Sequence, residues 1–221
     1  MTEKKVGFVI AMEKEARLLL ELATIEKEKT LSGKKVYEGN IWKTSFVLII
    51  AGIGKVNSAM STQILIDKYK LSKVINFGLA GGKSGSGLKA GQIVEVEKCC
   101  QYDFDLSELD DVSIGYMQDY DLVYYPLAVN NIFKSVSCAT GDRFTSKQMF
   151  LKIISDLGAQ IADMECGAIA QVCYANDIPL HAIKLISDVD CNKTSIFEQY
   201  NNNVKSVCGK LPKAVKKVLS K

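Results

Sequence analysis

Carboxylates recur where a chain of alternating strands and helices would place its chemistry. Glu15 follows the apolar run Val6–Ala11, and Asp142 follows Val136–Ala139. Glu165 stands just ahead of Cys166–Ala175, and Asp188 just after Leu180–Ile186. Two glycine-rich turns, Gly52-Ile53-Gly54-Lys55 and Gly78-Leu79-Ala80-Gly81-Gly82, fall at comparable points. Open α/β sheets bind ligands beyond the carboxyl ends of their strands, so these residues would converge on one edge. Carboxylates gathered there suit acid–base chemistry on a neutral or cationic intermediate. His181 is the only histidine. It opens an apolar strand and reads as structural, which removes the Ser-His-Asp and Cys-His mechanisms that would need another histidine.

Taken singly, each feature has an ordinary reading. Gly52-Ile53-Gly54-Lys55 resembles part of a phosphate loop, without the spacing or the Lys-Ser/Thr ending of one. Gly78–Gly82 would serve as a tight turn, Asp188 as a helix N-cap and Glu165 as a solvated helix end. The signal is their combination and order.

The elements that must position these residues follow from periodicity. Strands are expected at Val6–Ala11, Val74–Leu79, Ile93–Cys100, Val136–Ala139 and Leu180–Ile186. A hairpin is expected of Lys34–Gly39 and Ser45–Ala51 around Asn40–Lys43. Helices are expected at Lys14–Leu22, Lys55–Tyr69, Ser146–Leu157, Cys166–Ala175 and Phe197–Leu219. The alternation predicts a single α/β domain over residues 1–221, with a central, mixed but mostly parallel sheet flanked by helices on both faces, a three-layer sandwich. Asp103–Pro126 is too long for an ordinary connection. It is acidic and aromatic, and exposed tyrosines there would stack on a base or pack against another subunit.

Composition sets the outer bounds. The 221 residues are 48% apolar and 24% charged, with three prolines and a net charge of +3. That is an ordinary globular balance without the clustered basic stripe of a nucleic-acid binder. Lys213, Lys216, Lys217 and Lys221 read as the solvated face of a last helix. No segment is long and apolar enough for a membrane span or a signal core, so a cytoplasmic protein is expected. The seven cysteines show no CxxC or Cys/His spacing and read as small apolar fillers in a reducing compartment. No metal site is expected.

With those motifs in order, the chain resembles the nucleoside phosphorylase/nucleosidase superfamily over nearly its whole length. Within it the likeness is greatest to 5′-methylthioadenosine/S-adenosylhomocysteine nucleosidases. The blocks are Ala11-Met12-Glu13-Lys14-Glu15, Gly52-Ile53-Gly54-Lys55-Val56, Asn76-Phe77-Gly78-Leu79-Ala80-Gly81-Gly82 and Gly91-Gln92-Ile93-Val94. They continue with Thr140-Gly141-Asp142-Arg143-Phe144, Asp163-Met164-Glu165 and Ile186-Ser187-Asp188-Val189.

The resemblance implies the nucleoside phosphorylase-like sandwich and hydrolysis of the N-glycosidic bond of an adenine nucleoside, without metal or cofactor. It also implies a homodimer and a part in methionine salvage. Asp188, in the Ser187-Asp188 block, would protonate the purine at N7, and Glu15 would activate the attacking water. Glu165 would hold the ribose hydroxyls. Met164 and Met12 would line the sugar and its 5′ substituent. Phe144, with the Thr145 backbone beside it, would stack on the base. Ile53 and Phe197 would line an apolar 5′ pocket. Two positions depart from the family pattern: Leu79 stands where serine is usual and Lys184 where arginine is usual, both residues that help to hold the water.

Two alternatives accompany this reading. A phosphorylase would replace water by phosphate. Arg17 and Arg143 do not sit where a phosphate clamp is expected, though Lys184 or Lys55 would remain available. A catalytically weak nucleoside-binding protein is motivated by Leu79 and Lys184 and opposed by the presence of Glu15, Glu165 and Asp188 together.

Overall fold

The computed structural model describes residues 4–144, 148–190 and 209–220. Its strands are β1 (Lys5–Ile10), β2 (Thr24–Leu31), β3 (Lys34–Ile41), β4 (Thr44–Ile50), β5 (Leu71–Gly82), β6 (Ile93–Gln101), β7 (Tyr125–Pro126), β8 (Lys134–Thr140), β9 (Ile161–Asp163) and β10 (Leu180–Val189). Its helices are α1 (Glu13–Glu21), α2 (Lys55–Lys68), α3 (Gln148–Asp156), α4 (Cys166–Ala175) and α5 (Leu211–Leu219). The first part of the expected helix Phe197–Leu219 lies outside the described residues. In α5, Lys213, Lys216 and Lys217 face solvent as expected, and Leu211, Ala214, Val215 and Val218 are buried.

The strands run in the order β10-β6-β8-β9-β5-β1-β4-β3-β2, with β7 paired to β6. β10 also pairs with β5, so β5, β10, β6, β8 and β9 form a closed ring. The sheet is mixed and flanked by helices, as expected, but this part of it closes on itself instead of forming the flat middle layer of a three-layer sandwich. The pairs β1–β4, β1–β5, β5–β10, β6–β8 and β8–β9 are parallel, and the other five are antiparallel.

The closure has a local cause. β5 pairs with β1 along its first half, and its last two residues, Gly81 and Gly82, leave β1 and pair with β9. β10 stays on the other edge throughout, with a register shift between Ile186 and Asp188. Such a bulge bends a strand and increases its twist.

β2 was not anticipated. Its sequence TIEKEKTL is largely exposed, and it pairs with β3 alone at the end of the sheet. Charged side chains on an edge strand discourage pairing with other chains, and the same charges hide the strand from an apolar pattern search.

Apolar residues pack on both sides of the strands. One cluster joins Leu65 of α2 and Cys166, Ile169 and Cys173 of α4 to Val74, Val96 and Val136. The other joins Ala16 and Leu19 of α1 and Val215 and Val218 of α5 to Phe8, Ile75 and Phe77. Each fully buried Val, Leu or Phe contributes about 1.5–3 kcal/mol.

The aromatic segment 103–126 is not a surface of exposed tyrosines. Tyr102 and Tyr125 are buried, and Phe104, Tyr116, Tyr120 and Tyr124 are half-buried. Tyr120, Tyr125 and Tyr174 form three edge-on ring pairs, and the Tyr124 hydroxyl donates to the Leu157 carbonyl at 2.7 Å. The rings therefore fasten this segment to α4 and to the end of α3.

Candidate active site

One cavity of about 470 Å³ opens at the strand ends. Its wall includes Met12, Glu15, Ile53, Leu79, Phe144, Met164, Glu165, Ser187 and Asp188. Nine residues singled out from the sequence thus meet in one place. Thr145 and Phe197 lie outside the described residues. Lys184 does not reach the wall.

Glu15 sits in the first turn of α1. Its carboxylate accepts from the Met12 backbone N–H at 3.1 Å, the return half of a capping box. The other oxygen accepts from the Leu79 N–H at 3.0 Å. Burial raises its pKa, against the pull of the two N–H groups and of Lys184. Gly78 makes room for this carboxylate: a Cβ there would stand 2.9 Å from Glu15 Oε1. The Leu79 side chain lines the cavity while its N–H anchors the carboxylate. The position therefore contributes a polar contact that does not depend on its side chain.

Asp188 ends β10 beside the bulge. Strict alternation along a strand would turn consecutive side chains to opposite faces. The shift at Ser187 lets Ser187 and Asp188 both border the cavity. The Ser187 hydroxyl donates to Asp188 Oδ1. Burial raises the Asp188 pKa, the Ser187 bond lowers it and Asp190 raises it further.

Glu165 caps the N-terminus of α4 and accepts from the Gly54 N–H at 3.1 Å. Gly54 has φ of 100°, a left-handed conformation that favours glycine, and opens α2. Lys55 Nζ pairs with Asp103 at 2.6 Å, Asp103 accepts from the Asp142 N–H at 2.8 Å, and Asp142 accepts from the Lys55 N–H at 2.7 Å. These three bonds tie together the loops that flank Gly54. Burial, with the nearby Asp163 charge, pushes the Glu165 pKa up to about 7.

Lys184 lies beneath the cavity, 1% exposed, with Nζ 2.7 Å from Asp163 Oδ2. Burial opposes its charge most strongly of any single influence, but Asp163, Cys166, Glu165 and Cys138 together outweigh burial and hold its pKa above the usual range. It does not line the cavity, where the resemblance implied a group that helps to hold the water. Its charge acts on Glu15 and Glu165 through the protein.

Asp163 also borders the cavity, a position that the sequence patterns do not single out although it opens the Asp163-Met164-Glu165 block. It accepts from the Thr140 hydroxyl at 2.5 Å and from the Cys166 N–H at 3.0 Å, in addition to Lys184. Leu151 and Ile154 of α3 complete an apolar wall, which only the packing of that helix discloses. His181 lies at the opposite end of β10 from Asp188, its pKa pushed down to about 4 by burial and Lys73.

The raised carboxylates imply a pH dependence of stability. A group whose pKa is higher folded than unfolded stabilises the fold most at low pH and loses that contribution as pH rises. For Glu165 the window runs from the ordinary 4.5 to about 7. Glu38, which burial would raise but Lys5, Lys29 and Tyr69 hold down at about 2, acts oppositely and only below 4.5. His181, held down at about 4, acts in the opposite direction below its ordinary 6.5, so the Glu165 contribution is read against Glu165→Gln. The melting temperature of the ligand-free parent relative to that variant is expected to be higher near pH 5 than near pH 7.5. A difference that grows in the parent's favour from pH 5 to pH 7.5 would contradict the assignment.

The cavity can hold an uncharged flat ring and an apolar substituent, and five carboxylates border it: Glu15, Asp163, Glu165, Asp188 and Asp190. Nearby cations are engaged elsewhere: Arg143 lies over the Phe150 ring at 4.0 Å, and Lys83 donates to the Leu151 carbonyl at 3.1 Å.

The family model described as the phosphorylase superfamily matches residues 5–220. The chain is 35% identical to a 5′-methylthioadenosine/S-adenosylhomocysteine nucleosidase of Buchnera aphidicola, covering 98% of this chain and 97% of that one. Among solved structures it resembles the nucleosidase of the same name from Neisseria meningitidis in complex with methylthio-immucillin-A. The TM-score is 0.86 at 24% identity, over 98% of this chain and 99% of that one. It also resembles futalosine hydrolase of Helicobacter pylori, with a TM-score of 0.88 at 23% identity, over 98% and 97% of the two chains. Both structural likenesses speak to the fold.

Proposed function

The chain belongs to the phosphorylase superfamily and is an N-glycosyl hydrolase of adenine nucleosides, and from that premise we propose that Asp188 is its acid and Glu15 its base. The observation that carries this assignment is the separation of roles in one cavity. Two buried carboxylates are held by different partners, Asp188 by a hydroxyl and Glu15 by two backbone N–H groups.

Asp188, its pKa raised by burial, gives a proton to N7 of the purine. The protonated base leaves more readily, and the sugar becomes oxocarbenium-like. Glu165 accepts hydrogen bonds from the ribose hydroxyls, and its charge offsets the developing cation. Glu15 takes a proton from water as it attacks the anomeric carbon. The Leu79 and Met12 N–H groups fix that carboxylate without any contribution from the Leu79 side chain. Met12, Met164 and Ile53 offer an apolar surface to a thioether at the 5′ position, and Phe144, 48% exposed at the rim, a ring for the base.

Glu15→Gln is expected to lower kcat for adenine release by roughly 10²–10³-fold, the range of general-base catalysis, with little change in KM. An unchanged kcat would remove Glu15 from the mechanism. Methylthioadenosine assayed with and without phosphate tests the nucleophile: release should be independent of phosphate. Ribose-1-phosphate as product would overturn the water mechanism.

A homodimer in the cytoplasm, acting in methionine salvage, completes this reading. Ile53, Val56 and Met60, all exposed in and just before α2, support a partner surface there, and light scattering should report twice the chain mass.

A further inference from the structure

Three cysteines far apart in sequence meet under the active site. Cys99 of β6 and Cys138 of β8 are register partners on adjacent strands, so their side chains share a face. Cys166 opens α4. Asp163, at the end of β9, completes the group. Among the described residues, Cys138, Asp163 and Cys166 are the one group whose potential ligand atoms lie within 4.8 Å of one another. Cys138 Sγ stands 3.5 Å from Asp163 Oδ1, and the Cys99 thiol is in hydrogen-bond contact with that of Cys166. All three thiols are fully buried and free.

We propose that Cys138, Cys166 and Asp163 form a buried site for a thiophilic divalent cation, Zn²⁺ in the first place.

Geometry and charge both favour it. With Zn–S about 2.3 Å and Zn–O about 2.0 Å, the sulfur-to-oxygen edge of a zinc tetrahedron is about 3.5 Å, the separation found here. The ligands are soft thiolates with one carboxylate, as zinc accepts. Asp163 already forms a neutral pair with Lys184 through its other oxygen. Uptake of Zn²⁺ with loss of one proton from Cys138 and one from Cys166 forms two Zn–S bonds and releases two protons to solvent. The buried charge is then unchanged, which avoids the penalty of an uncompensated ion. Because Asp163 and Cys166 bracket Met164 and Glu165, the cation would tie β8 and β9 to the turn that carries the Glu165 carboxylate.

The test uses the intact chain, chelator-stripped and kept reduced without added thiol. Cd²⁺ is titrated as a spectroscopic stand-in for Zn²⁺, and each addition is followed until the thiolate-to-cadmium absorbance stops rising. The expected result is saturation at one equivalent, two protons released per cation, and a higher melting temperature with Zn²⁺. Cys138→Ala and Cys166→Ala should lose the band. Cys100→Ala, which removes a described thiol outside the group, should keep it. Absence of a saturable band, release of no protons, or a band that survives in both single variants would overturn the site. If either single variant fails to fold, the stoichiometry and proton count on the unmodified chain decide the matter.

Discussion

Asp188→Asn should lower kcat for adenine release from methylthioadenosine by roughly 10³–10⁴-fold, near the upper end of what one proton donor contributes. KM should stay within a few-fold. Asparagine keeps the size of the side chain and its place beside Ser187, so the bulge and the cavity wall survive. What it cannot do is transfer a proton to N7, and that transfer matters in the transition state rather than in the bound ground state. The fall should therefore appear in kcat and kcat/KM alike. Steady-state adenine release beside a thermal melt checks both halves. An unchanged kcat would end the assignment. A lost melting transition would show that Asp188 serves stability instead. The effect should exceed that of Glu15→Gln, because without N7 protonation the base departs as an anion, whereas a water held by the remaining groups still attacks.

Lys184→Met should destabilise the fold by about 3–5 kcal/mol, the cost of stripping one partner from a buried ion pair. Lys184 and Asp163 are each 1% exposed at the side chain, so solvent does little to screen the loss. At this chain length each kcal/mol moves the melting temperature by about 2–4 °C, and a fall on the order of 10 °C is expected. Adding Asp163→Asn should recover part of it, because the orphaned charge disappears with it. That recovery, measured as a double-mutant cycle, separates a charge effect from lost packing. If Lys184→Met melts like the parent chain, the pair is not what holds β9 and β10 together at the cavity floor. Glu15 and Glu165 would also lose a neighbouring positive charge, so their pKa values should rise further, and the acid limb of the rate profile should move to higher pH.

Much of the site is legible in the residues themselves. Glu15, Glu165 and Asp188 each stand where an apolar run ends or a helix begins, and both signals are local: burial periodicity along a strand and a polar residue at a helix N-terminus. Gly54 and Gly78 belong to the same class, since a left-handed φ and a missing Cβ are requirements that glycine meets wherever the chain goes. The α/β class follows from the same short-range patterns.

Tertiary structure alone decided the rest. Closure of five strands into a ring depends on two glycines of β5 leaving one neighbour for another and on a one-residue bulge in β10, and neither alters the apolar pattern. The role of Lys184 is set by a partner 21 positions away, Asp163, which turns a side chain suited to a ligand into half of a buried pair. Cys99, Cys138 and Cys166 read as unrelated fillers because their spacing matches no motif; strand register and the start of α4 bring their sulfurs together. Local sequence determines what each residue prefers within a few neighbours, where backbone geometry fixes the distances. Contacts between distant segments depend on how whole elements pack, and in this protein that packing set the shape of the sheet, the partner of Lys184 and the meeting of the thiols.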